Sequence, residues 1–553
     1  VDFGRIFRDQ GLAPEVVHWV QFNPGTSMLL ALVFRLPGEP AELARTATGV
    51  LTGLLGLLPF LLWRPFVRFG TRALAGAALA LWPGQVVFSG VVAQENWALA
   101  PAIALACLAV RRLRDPDGRG RPILAAALYG AAVAIRQEML IVLLPLALPA
   151  ALSADGARRR VDTRRAAITL GAILLTLAVQ RFEATERFAI TTPHGGHAVL
   201  GAFSPGAFSA GWVDPAPIAA ATEPEVLYDF DSALSSGWRL AGKEFRRRPL
   251  FHSARAASQL VRLSVESEAE LTFWALYPLP PDRAAAGARL AGTLSAVLRR
   301  SLPLLEAAFL VAVFLALRRR DSAILVLAAA VILKFGLHAI ASPMGRLMVP
   351  AIGLQILALA LATELWAREA PRWRVMLAAA AILIGLAMPA ALGRLRRIIE
   401  PRELGMQRSY RFPLHVGYQT IFCRVDRGRP HFLGWSGAAL ASHRSDPHPG
   451  NGATAVCRFR AERGPLLLRL APERAPGYSP GRARVAAFVD GIPALSWDLD
   501  PAAEDAAREI VVPGGPGVRS VVVTTDAPEP ESGTERPGLR SVRFEFSAVP
   551  PTP

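Results

Sequence analysis

Lysine is nearly absent from this chain. Only Lys243 and Lys334 occur, although the formal net charge is +17. The positive charge is therefore arginine, and it sits mostly in short stretches between apolar blocks. That placement excludes a nucleic-acid-binding reading, because such arginines set membrane orientation instead. Cysteine is also scarce: Cys107, Cys423 and Cys457. No cysteine-based zinc pattern arises, and only Cys423 and Cys457 share a polar segment, where they pair or remain two free thiols. There is no GxSxG elbow and no P-loop, so hydrolase and ATPase readings lack support. The chain starts at Val1 without a signal-peptide pattern, which reads as the continuation of a longer protein with a membrane span upstream.

What the chain has is apolar sequence. Hydrophobic residues make up 52% of 553 positions, more than a soluble domain ordinarily carries, and they cluster in charge-free blocks. Ten candidate spans follow: Leu43–Trp63, Thr71–Val87, Glu95–Val110, Pro122–Arg136, Met139–Leu152, Ala166–Arg181, Ser301–Leu317, Asp321–Ala341, Leu347–Ala367 and Val375–Gly393. Leu29–Leu36 is too short to span and reads as an interfacial helix.

Arginine orients these spans. The loops after the first, third, fifth, seventh and ninth carry Arg64 and Arg68; Arg112, Arg114, Arg119 and Arg121; Arg158–Arg160, Arg164 and Arg165; Arg318–Arg320; and Arg368, Arg372 and Arg374. The opposite short loops hold few, Arg136 and Arg346 being the exceptions. The positive-inside rule places the rich loops in the cytoplasm. The N-terminal segment, the Glu183–Arg300 loop and everything after Arg394 then lie outside.

The expected domains are an outer N-terminal segment (1–42), six spans (43–181), an extracytoplasmic loop domain (182–300), four spans (301–393) and an extracytoplasmic β-sandwich (394–553). The loop opens with Gly- and Pro-rich sequence from His194-Gly195-Gly196-His197 to Trp212 and turns helical over Glu223–Val265. In the last segment, alternating runs at Ala455–Ala461, Leu466–Leu470, Arg484–Val489, Glu509–Val512, Ser520–Thr525 and Arg540–Phe546 predict antiparallel strands.

Ionisable residues at membrane depth mark function by default. Lys334 and His338 stand four apart on one helical face, with Lys334 about 10 Å below the outer end at ~1.5 Å per residue. They read either as a cation pair facing an anionic headgroup or as a snorkelling lysine beside a packed histidine. Arg136 and Arg346 fall at outer span ends. With Lys334 they predict a basic ring suited to a lipid phosphate, because arginine binds phosphate oxygens bidentately. Singly, each arginine reads as an interfacial anchor. Asp2, Asp9, Glu95 and Glu138 are the outer carboxylates available as a general base, although Glu95 also suits a helix start. His194 and His197 read as a solvated loop rather than metal ligands. Lys243 and Arg246–Arg248 read as a solvated or headgroup-contacting face. The charges within spans concentrate at the outer end and no internal repeat is evident, which argues against a transporter.

Four stretches resemble GT-C-fold glycosyltransferases of the protein O-mannosyltransferase and aminoarabinose-transferase type. Asp2-Phe3-Gly4-Arg5-Ile6-Phe7-Arg8-Asp9-Gln10-Gly11 is similar to the first outer-loop segment, which begins with the family's catalytic Asp. Asn23-Pro24-Gly25-Thr26-Ser27-Met28-Leu29-Leu30 is similar to the juxtamembrane element that follows. Gly130–Glu138 and Met344–Pro350 resemble two characteristic span ends, and Ala233–Arg262 the outer-loop helix. The resemblance implies transfer of a sugar from a polyprenyl-phosphate donor to a glycan or lipid acceptor, on the extracytoplasmic face of a bacterial inner membrane. It implies catalysis by Asp2 or Glu95, with Asp9 and Glu138 secondary, and donor phosphate held by Arg136, Lys334, His338 and Arg346. Phe3 stands where the family often carries a second acid. No metal ligand set is assigned, and no cofactor beyond a divalent cation is admitted. Gly434-Trp435-Ser436-Gly437 and Pro537-Gly538-Leu539 resemble appended carbohydrate-binding-like modules, in which Trp435 or Trp497 either stacks on sugar or fills the core.

Overall fold

The computed structural model describes residues 25–64, 66–115, 119–185, 188–190, 194–203, 230–276, 281–341 and 345–409, and strand segments between 418 and 548. Asp2, Asp9, Cys423 and Trp435 lie outside the described residues. Two compact units divide the chain, one holding nearly all described helix and the other the strands.

The helical unit begins with α1 (Gly25–Val33), α2 (Pro40–Leu54) and α3 (Leu57–Leu62). It continues with α4 (Phe69–Leu81), α5 (Pro83–Ser89), α6 (Gln94–Arg114), α7 (Pro122–Ile135), α8 (Met139–Val142), α9 (Leu144–Ala151) and α10 (Gly156–Thr185). Beyond these come α11 (His194–Phe203), α12 (Phe230–Arg247), α13 (Pro249–Leu276) and α14 (Pro281–Arg319). The last are α15 (Ser322–Ala341), a 3₁₀ turn (Gly345–Met348), α16 (Val349–Trp366) and α17 (Pro371–Ser409).

Among the described residues, six helical segments are long and apolar enough to cross a membrane: Glu42–Leu62, Gln94–Arg114, Thr293–Arg319, Ser322–Ala341, Gly345–Trp366 and Pro371–Ile399. They mark the chain as a membrane protein. Phe69–Leu81 and Pro122–Ile135 are shorter apolar helices. Two expected spans are not continuous helices. Thr71–Val87 breaks at Trp82, whose ψ of 125° leaves the helical region, because Pro83 disfavours helix at the residue before it. Met139–Leu152 splits at Leu143, two residues before Pro145. The loop also differs from expectation: its last stretch is helix, since α14 starts at Pro281 and runs unbroken past Arg300. His194–Phe203, expected as loop, is α11. Arg248-Pro249 separates α12 from α13, as a proline ends the helix before it.

Packing sorts the spans. α6 and α16 are enclosed on nearly all sides: Leu99, Ile103, Leu105, Leu354, Leu357 and Leu361 are each fully buried. α17 presents Val375, Leu383 and Leu386 outward, about two-thirds exposed, as a lipid-facing helix does. Gly56 and Gly76 let two helices touch backbone to backbone. A Cβ on either would stand 2.5 Å from the other's carbonyl oxygen, the close approach that small residues permit between spans. One face of α1 packs inward: Gly25 lies against the Ala134 carbonyl and the Ile135 side chain, and Leu30 and Phe34 are buried.

Side chains gather the arginine-bearing loops at one end of this unit. Arg114 pairs with Asp321 at 2.6 Å. Arg318 and Arg319 reach Glu369 at 3.2 and 2.7 Å. Arg112 donates to the Leu152 carbonyl at 3.0 Å, and the Arg68 amide donates to Glu364 at 3.1 Å. Each bond joins two ends that the arginine pattern assigns to the same side.

In the second unit, a five-stranded sheet has the order β1-β4-β9-β6-β7, a three-stranded sheet the order β10-β5-β8, and β2 pairs with β3. The strands are β1 (Tyr418–Phe422), β2 (Arg424–Asp426), β3 (Arg429–His431), β4 (Thr454–Arg460) and β5 (Leu466–Arg474). Then follow β6 (Ala483–Val489), β7 (Ile492–Leu499), β8 (Arg508–Val512), β9 (Val518–Thr525) and β10 (Leu539–Ala548). All described pairings are antiparallel except β1 with β4. Trp497 is buried rather than exposed.

Candidate functional site

The far ends of α6, α7 and α15, with the 3₁₀ turn before α16, converge opposite the arginine-bearing loops. Glu95 stands in the first turn of α6, whose last turn carries Arg111, Arg112 and Arg114. Acid at the start and base at the finish complement the helix dipole and favour this helix. α7 ends because Arg136 adopts an extended backbone, φ −140° and ψ 112°. That change of direction turns Arg136, Gln137 and Glu138 into a polar corner, whose neighbour Tyr129 donates its hydroxyl to the Leu140 carbonyl.

Glu138 is the centre of this corner. Its Oε1 accepts from Arg136 Nε at 2.8 Å and from Lys334 Nζ at 2.9 Å, with His338 Nε2 at 3.9 Å. Glu95 Oε1 lies 3.3 Å from the Arg136 guanidinium and 3.8 Å from Arg346 Nε. Gln94 Oε1 takes a further, long bond from Arg136 at 3.4 Å. The structure thus unites Glu95, Arg136, Glu138, Lys334, His338 and Arg346, drawn from four separate stretches. Three cations face two carboxylates, leaving one positive charge before His338 is counted.

The members are not equally accessible. The Lys334 side chain is 1% exposed, whereas Arg136 and Arg346 retain 18% and 33%. Lys334 and His338 therefore lie behind Glu138, and the arginines present the outward face. α13 borders that face. A Cβ on Gly345 would stand 2.2 Å from the Ser267 carbonyl oxygen, so the long loop helix abuts the backbone beside Arg346.

Two polar groupings escaped the sequence reading. Glu306 on α14 accepts from Gln355 Nε2 on α16 at 2.6 Å, with both side chains buried. Glu306 lies about 20 Å from the Arg319 end of its helix at ~1.5 Å per residue, the same depth as Lys334 measured from Asp321, so it falls with the charges expected towards the outer end. A lone acid in the apolar run Ser301–Leu317 was the available signal. The second grouping lies on α13. His252 is buried against Phe203, Phe245 and Phe251, and the Arg255 guanidinium stacks on Phe203 at 4.6 Å. Lys243, Arg246 and Arg247 are exposed, as a solvated face requires.

Burial pushes the His252 pKa below its ordinary value, aided by Arg255 and Arg248 and opposed by Glu244. A histidine whose folded pKa is depressed binds its proton more tightly when unfolded, so protonation favours unfolding. Stability from this site is present above the unfolded pKa of about 6.5 and is lost as pH falls from there towards the folded value. Thermal unfolding between pH 8 and 5 should show this decline, and His252→Phe should flatten it.

Among the described residues no group of three or more His, Cys, Asp or Glu could hold a metal ion. No protein-family model, curated protein or solved structure matches this chain significantly.

Proposed function

We propose that the chain is a GT-C-type membrane glycosyltransferase of a bacterial inner membrane, moving a sugar from a polyprenyl-phosphate donor to a glycan or lipid acceptor outside the cytoplasm. The observation that carries this reading is the six-residue cluster with net positive charge at the end remote from the arginine-rich loops. Those loops mark the cytoplasmic side by the positive-inside rule, which puts the cluster at the outer face. There Arg136 and Arg346 bind the donor phosphate through guanidinium hydrogen bonds. Glu138 and Glu95 hold the two arginines in place, and Lys334 with His338 anchors Glu138 from behind. The apolar spans hold the polyprenyl chain. Both cluster carboxylates already accept bonds from cations, so the general base is Asp2, with Asp9 the secondary acid. The strand-rich unit is read as an extracytoplasmic β-sandwich that binds glycan.

Donor binding tests the arginine roles. In proteoliposomes containing a labelled polyprenyl-phosphate sugar, Arg136→Gln and Arg346→Gln should each weaken donor binding at least tenfold, consistent with ~1.5–3 kcal/mol for a hydrogen bond to a charged group. Wild-type affinity in both variants removes the phosphate site.

Glu306 gives a second reading its one observation: a buried carboxylate within a span is what a proton-coupled transporter of lipid-linked glycans would use. Glu306→Gln retains the shape and the contact with Gln355. Under the transferase reading it should leave sugar transfer within about twofold, since its partner Gln355 is not one of the cluster residues. Abolished glycolipid translocation in the same vesicles would favour the transporter.

A further inference from the structure

The arginine-bearing end of the helical unit contains a cavity of about 410 Å³, formed where α6 finishes and α7 begins. Arg111, Arg112, Arg119, Arg121 and Asp115 line it, with Leu108 and Ala150 as its apolar part. Among the described residues that line it, four arginines against one aspartate leave an excess of three positive charges. Some arginines at this end are matched: Arg114 has Asp321, and Arg318 and Arg319 share Glu369. Among the described residues no carboxylate forms an ion pair with Arg111, Arg119 or Arg121.

Arg119 and Arg121 are exposed, whereas Arg111 and Arg112 are half-buried. Arg111 stacks over the Phe66 ring at 5.6 Å, and Arg112 is fixed by its bond to the Leu152 carbonyl at 3.0 Å. Leu108 and Ala150 are almost completely buried and supply apolar surface at the same place. The volume far exceeds the ~30 Å³ of one water and admits a phosphate group with part of the body it is attached to.

We propose that this cavity binds a phosphate-bearing anion. Planar guanidinium groups engage phosphate oxygens in pairs, and basic pockets between spans on this side of a membrane suit anionic headgroups. The ligand's phosphate comes either from a membrane lipid or from a soluble compound. The site is separate from the Glu95–Arg136 cluster, and neither depends on the other.

The full chain, purified into nanodiscs, tests the site in two arms. In phosphatidylcholine discs doped with phosphatidylglycerol, native mass spectrometry counts retained phosphatidylglycerol. In pure phosphatidylcholine discs, calorimetry titrates inorganic phosphate. Retention in the first arm identifies a lipid source, and saturable binding in the second a soluble one. Either should fall at least tenfold in R111Q/R119Q/R121Q. The variant R160Q/R164Q/R165Q, which removes equal charge from exposed positions of α10, should bind as wild type does. If the glutamine variant fails to fold, R111K/R119K/R121K keeps the charge and loses the paired geometry, and several-fold weaker binding is expected. The proposal is overturned if wild type binds neither probe, if both glutamine variants lose binding equally, or if the lysine variant binds as wild type.

Discussion

Glu138→Ala is expected to destabilise the helical unit by about 3–5 kcal/mol, the cost of leaving a buried charge without its partner. The stranded charge is Lys334, whose side chain is 1% exposed and whose ammonium lies 2.9 Å from Glu138 Oε1. Arg136 suffers less. It loses one acceptor, keeps Glu95 at 3.3 Å and retains some access to solvent. The companion double variant E138L/K334M removes both charges together. It should recover most of the loss, because an apolar pair of similar volume often replaces a buried ion pair at little cost. Denaturant unfolding in detergent, run as a double-mutant cycle, measures the coupling. A loss below about 1 kcal/mol in Glu138→Ala would show that the ammonium finds water or another acceptor.

The second large effect concerns catalysis. Asp2→Asn should lower sugar transfer about 10²–10⁴-fold, the usual contribution of a positioned general base, with donor affinity unchanged. Glu95→Gln should do the reverse. It loosens Arg136 and Arg346, weakens donor binding and raises KM, while kcat falls by less. The contrast follows from geometry, since Glu95 Oε1 stands within 3.3 and 3.8 Å of those arginines. Steady-state kinetics on both variants separate the roles. Undiminished turnover in Asp2→Asn removes that residue from the mechanism. A collapse of kcat in Glu95→Gln at unchanged donor affinity would make Glu95 the base.

Much of the site was legible because its members are unusual for their surroundings. One of two lysines in the chain lies within an apolar span, and His338 follows it by a single turn. Arg136 and Arg346 interrupt loops otherwise poor in arginine. The hierarchy among them was not legible. Glu138 read as one acid among four, yet it is the acceptor that both Arg136 and Lys334 share. Lys334, expected among the phosphate donors, lies behind that carboxylate.

Sequence alone determined the apolar blocks and which of their ends belong together, because hydrophobic burial and loop charge act locally and additively along the chain. The breaks at Trp82 and Leu143 are local as well, since each stands within two residues of a proline. Tertiary packing decided the rest. It joined Glu138 to a lysine 196 residues away and Glu306 to Gln355. Such pairs arise only when helices pack, since a buried charge must find its partner across the interface rather than along its own helix.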